Sequence, residues 1–116
     1  MEVEQRQHNR IDVTWKGRLL KEGHTVAPCR IENVSIGGVF LRAIQALNAR
    51  DIVLVEIHVG DETPPRQIIC KCEIMRVVPA PDFQHFAYGL RFQNIKDDDF
   101  EYLLNLIARR WTLTTT

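Results

Sequence analysis

Arg6 and Arg10 stand four apart in the segment Arg6-Gln7-His8-Asn9-Arg10. Each guanidinium is a planar fork of donors. It can bond two phosphate oxygens, or the O6 and N7 of a guanine edge, and it can stack on a base. With 11 arginines in 116 residues, such a pair is expected about once by chance. The spacing alone therefore reads equally well as a solvated basic arm. A second cluster, Asn33-Val34-Ser35-Ile36-Gly37-Gly38, holds a short amide, the only serine of the chain and then glycine. Its chance expectation from composition is about one in two hundred. Asn, Ser and Gly are ordinary turn residues. They also suit a pocket rim, where an amide and a hydroxyl meet a base edge and glycine lets the backbone approach.

Other chemistry is sparse. Ser35 does not sit in a G-x-S-x-G elbow, and there is no G-x-G-x-x-G or G-x-x-x-x-G-K-[ST] loop. His8, His24, His58 and His85 are isolated in sequence, so no catalytic residue and no enzyme activity are expected. Cys29, Cys70 and Cys72 are an odd number, which argues against a disulfide framework. On a strand Cys70 and Cys72 would share one face and line a core, so no metal site and no cofactor are expected.

Composition narrows the class further. Fifteen basic and fifteen acidic side chains give a formal charge of zero, so a grip on long DNA or RNA is not expected. An apolar fraction of 45% and a charged fraction of 26% describe a globular chain. No apolar run approaches the roughly 20 residues that span a bilayer, and MEVEQRQHNR lacks the apolar stretch of a secretory signal. A cytoplasmic protein without membrane insertion is expected.

The elements that must position the two clusters follow from periodicity. Ile11, Val13, Trp15 and Gly17 alternate with polar residues as a half-buried strand, and Lys21 to His24 supplies a hairpin turn. A second strand runs through Val26, Cys29 and Ile31 to Asn33, with Pro28 suggesting an edge or a bulge. Val39-Phe40-Leu41 resumes the pattern, and AIQALNARD is open between a helical turn and a loop. Ile52 to Val59, Ile68 to Val78 and Phe86 to Phe92 read as the fourth, fifth and sixth strands. Phe100, Leu103, Leu104, Ile107, Ala108 and Trp111 then fall on one face of a helix over 97–111, opened by Asp97-Asp98-Asp99 and closed by Arg109 and Arg110. Six strands and one helix predict a mainly β protein, a small barrel with the helix against it or across one mouth. The chain reads as a single domain, 1–116, with an arm over 1–10 and the barrel over 11–94.

Taken together, RxxxR, a strand pair, [DN]-x-S-x-x-G, barrel strands ending in EIMRVV and YGLRF, and a closing helix resemble the PilZ domain family over nearly the whole chain. These are bacterial receptors for the second messenger cyclic di-GMP. The resemblance implies a six-stranded antiparallel β-barrel and a receptor rather than an enzyme. It implies that Arg6 and Arg10 hold the guanines and phosphates of the ligand, that Asn33 and Ser35 contact a guanine edge, and that Gly38 closes the turn. Asn33 replaces the commoner aspartate, keeping the acceptor oxygen without its charge. Gln5 stands where many members carry a further basic residue that helps to hold a stacked pair of ligand molecules. On the receptor reading the arm before Ile11 is expected to close over ligand seated at Asn33 to Gly38, and so to signal to a downstream effector protein. An adaptor of the same fold that binds protein but no nucleotide is the second reading. Arg42 and Arg76 match no motif position and read as solvated strand arginines.

Overall fold

The computed structural model describes residues 10–21, 24–60, 62–79 and 85–115, with side chains as far as residue 111. Alternation of apolar and polar residues builds β1 (Arg10–Lys21), β2 (His24–Ser35), β3 (Gly38–Ala43), β4 (Ile52–Val59), β5 (Arg66–Pro79) and β6 (Phe86–Asn94), followed by α1 (Asp97–Thr115). The strands close into an antiparallel barrel in the order β1-β2-β3-β6-β5-β4. Closure removes free sheet edges, which an open sheet of this size would have to protect. All six strands lie where the alternation puts them. Arg10 opens β1, one residue ahead of the alternation that starts at Ile11.

The inward positions make one core. Ile31, Val34, Val55, Ile57, Cys72 and Tyr88 are fully buried in it, and Leu103, Leu106 and Ile107 of α1 join the same cluster. The helix lies across the end of the barrel where β1 and β5 begin. Arg66 of β5 bonds Asp99 at 3.0 Å and stacks over the Tyr102 ring, and the Tyr102 hydroxyl donates to Glu62. At the other end of the helix, Arg110 and Trp111 donate to carbonyls at the start of β1.

These polar ties rotate the helix away from its simplest apolar stripe. Asp99, expected at a solvated helix start, is buried against Arg66, and the covered face runs through Asp99, Leu103, Leu106 and Ile107. Leu104 and Ala108, predicted inward, are exposed, while Leu106 takes the core place that the periodicity missed. The helix also continues to Thr115, so Arg109 and Arg110 are not in its last turn. Arg110 serves β1 instead of the helix dipole.

The segment 44–51, open between helical turn and loop in the sequence, is a loop strapped to the barrel. The Tyr88 hydroxyl donates to the Gln45 carbonyl at 2.6 Å and accepts from the Leu47 amide at 2.9 Å. Arg50 sits in the left-handed region at φ 78° and donates its amide to the Ile74 carbonyl. Leu103→Ala removes the fully buried plug of the barrel mouth. It is expected to cost about 2–5 kcal/mol, read as a lowered denaturant midpoint with an unchanged slope.

Candidate functional site

The residues singled out in the sequence come together because two strands break their alternation. In β2, Ile31 and Val34 both face the core, fully buried and three positions apart, with the register against β3 slipping at Glu32. A bulge of this kind inserts one residue and reverses the facing of everything beyond it. Asn33 and Ser35 therefore turn to the outer face, whereas an unbroken alternation from Cys29 and Ile31 would have buried Asn33. In β5 the register against β6 slips between Ile74 and Arg76. Ile68, Cys70, Cys72 and Ile74 face inward, and the extra residue, Met75, sends Arg76 out.

The two slips face each other across β3 and β6. Asn33 is level with Phe40, Phe40 with Gly89, and Gly89 with Arg76, in one row across four strands. One row nearer the helix, Arg10 is level with Ser35. The result is an open groove of about 440 Å³ whose lining includes Arg10, Asn33, Ser35, Gly38, Phe40 and Arg76. Gly89 leaves the floor bare between Phe40 and Arg76. The Arg76 guanidinium lies 5.9 Å from the centre of the Phe40 ring, a cation–π arrangement that keeps it extended over the groove.

Ser35 and Gly38 shape the rim. The Ser35 hydroxyl accepts the Gly37 amide at 3.1 Å and lies 3.5 Å from the Gly38 carbonyl, to which it donates. This local turn bond is what serine supplies at such a position. Gly38 has no alternative. A Cβ there would stand 1.9 Å from the Leu90 carbonyl oxygen, so only glycine lets β3 close on β6 beneath the groove. Of the residues that the resemblance selects, Arg10, Asn33, Ser35 and Gly38 line this one groove, and Arg6 lies outside the described residues.

The charges around the groove are unequal in freedom. Arg91 lines it but is held at 2.6 Å by Glu73, which also takes Arg50 at 3.2 Å. Arg91 first, and then Arg50, hold the Glu73 carboxyl below its usual range. Arg42 is tied to Glu32 at 2.7 Å, away from the groove, in keeping with its reading as a strand arginine. Arg76 is exposed on β5, as the sequence reading has it, and it also lines the groove; among the described residues no carboxylate pairs with it or with Arg10. Its sequence signal was the place where a period-two run has to fail, since no barrel core of this size buries an unpaired arginine.

The cysteines stand apart from this chemistry. All three are buried and free, with Cys70 and Cys72 sulfurs 3.7 Å apart. Burial pushes the Cys29 thiol up to about 12. The Cys70 contact and burial push Cys72 up as well. Thiols so held do not supply a nucleophilic thiolate.

With the fold and groove described, the comparisons have a physical counterpart. The sequence pattern of the PilZ domain matches residues 4–109, and the chain belongs to the PilZ domain family. No curated protein matches the chain. Several solved structures share its fold. The inhibitor of motility MotI/DgrA of Bacillus subtilis superposes with TM-score 0.81 at 20% identity, over 95% of this chain and 53% of that one. The PilZ domain of YcgR from Escherichia coli, solved with c-di-GMP, gives 0.67 at 16% identity over 91% of each chain. YcgR from the same organism in complex with c-di-GMP gives 0.72 at 16% identity, over 98% of this chain and 52% of that one. This chain thus spans about half the length of the Bacillus inhibitor and of that longer YcgR chain.

The Glu73 cluster makes a pH prediction. A carboxyl lowered by folding stabilises above its unfolded pKa of about 4.3, and that stability is lost as pH falls through the folded value. The melting temperature of the protein is expected to fall between about pH 5 and pH 3, more steeply than that of Glu73→Gln.

Proposed function

We propose that this protein is a receptor for cyclic di-GMP and that the groove is its binding site. The observation that carries the reading is the pair of arginines, Arg10 and Arg76, left without carboxylate partners among the described residues in one groove with the Asn33 amide and the Ser35 hydroxyl. Membership of the PilZ family supports it, and so does the fold shared with a PilZ domain solved with this ligand.

The chemistry is complementary in kind. A cyclic dinucleotide offers two phosphates and two guanine edges. Guanidinium forks from Arg6 and Arg10 serve the phosphates and the O6 and N7 of guanine. Asn33 and Ser35 accept from the guanine N–H groups, and Gly38 allows the ligand to lie against backbone. Arg76, 5.9 Å from the centre of the Phe40 ring, offers a stacking surface for a base. The receptor has no catalytic step. Its output is the closing of the segment before Arg10 over the ligand, which creates a composite surface for a downstream effector protein. The ligand contacts themselves drive that population shift.

Isothermal titration with cyclic di-GMP tests the reading. Saturable heat is expected with the wild type, lost in Arg10→Ala and absent when GTP replaces the ligand. A flat wild-type trace from folded protein at high micromolar ligand would overturn it in favour of the adaptor reading. Hydrogen exchange tests the closing step separately. Amides over residues 1–10 are expected to exchange more slowly with ligand, and unchanged rates despite binding would refute closure alone.

A further inference from the structure

We infer that Trp111 and Arg110 of α1 are positioning residues for the groove: they hold the backbone of β1 from the side that, among the described residues, no strand covers, and so aim the guanidinium of Arg10. The inference rests on the receptor reading and adds a part of the molecule outside the groove to it.

β1 has unequal neighbours along its length. On one side β2 accompanies it throughout, as far as the pair Arg10–Ser35. On the other side β4 pairs with it only from Lys16 to Leu20. The stretch from Arg10 to Trp15 therefore has a bare edge, and beside it is a cleft of about 320 Å³ bounded by Asp12, Trp15, Gly60 and Arg110 among others. Carbonyls two residues apart on a strand point to the same edge. The helix takes up two of them: Trp111 Nε1 donates to the Arg10 carbonyl at 2.9 Å, and Arg110 Nη2 to the Asp12 carbonyl at 2.9 Å. Side chains of α1 thus stand where the next strand would have been.

Arg10 is the first residue of β1, and its side chain works at the groove end of that strand. Without a second-side partner, a strand end with one neighbour frays, and the guanidinium would sample orientations away from the groove. Fixing its carbonyl removes that freedom before the ligand arrives, so less ordering is left to be done on binding. A helix that only plugged the barrel would need its apolar residues alone. The indole N–H adds direction to that plug.

Trp111→Phe separates these roles, because it keeps the ring and deletes the donor. The loss of one hydrogen bond is expected to weaken cyclic di-GMP binding about fivefold. The decisive measurement is the cycle with Arg10→Lys, which weakens binding but leaves it measurable. If Trp111 acts through Arg10, adding Trp111→Phe to Arg10→Lys costs little more. Losses that multiply in the double variant, or Trp111→Phe binding as the wild type does, would overturn the inference while the receptor reading stands. Absence of binding by the wild type would sink the receptor reading itself. Should Trp111→Phe not fold, Arg110→Gln carries the same cycle through the Asp12 carbonyl.

Discussion

A closed sheet has two faces, and a residue's place in the alternation decides which one it meets. Everything at the groove depends on where that alternation is broken. The slip at Glu32 turns Asn33 and Ser35 out of the core while Val34 stays in it, and the slip at Met75 does the same for Arg76 and Val77. Each costs a ladder interaction, and together they place polar groups from separate strands in one shallow depression without interrupting the apolar interior. Gly38 then permits β3 and β6 to approach under that depression, and Gly89 keeps its floor clear.

Electrostatically the groove is made by subtraction. The chain carries no net charge, and five of its eleven arginines are bonded to carboxylates: Arg18 to Glu56, Arg42 to Glu32, Arg66 to Asp99, Arg50 and Arg91 to Glu73. A guanidinium already bonded to a carboxylate has little to offer an anion. Overall charge says nothing about such a site. What matters is which cations the fold leaves unmatched, and where.

Much of this was legible in the sequence. Period-two runs place all six strands, because each faces a dry interior on one side only. The Asn33–Gly38 cluster stands out because the only serine falls between an amide and glycines. Arg76 was legible as a solvated strand arginine but not as part of the groove, since the slip at Met75 that brings it level with Gly89 has no composition of its own. The helix stripe was misread for a related reason. Hydropathy cannot foresee that Asp99 is drawn in by an arginine of β5, turning Leu104 and Ala108 to solvent in exchange for Leu106. Such long-range polar ties are decided in three dimensions.

The sealed cysteines give the barrel a further property. Cys29, Cys70 and Cys72 are buried on β2 and β5, with Cys29 and Cys72 held as thiols rather than thiolates. A reagent that alkylates thiolate reaches them only when the strands part, so its uptake keeps time with spontaneous opening of the barrel. Any molecule that grips the closed form slows that clock in proportion to its occupancy. The core thus carries an internal reporter for events on the opposite face of the sheet, and it needs no attached label.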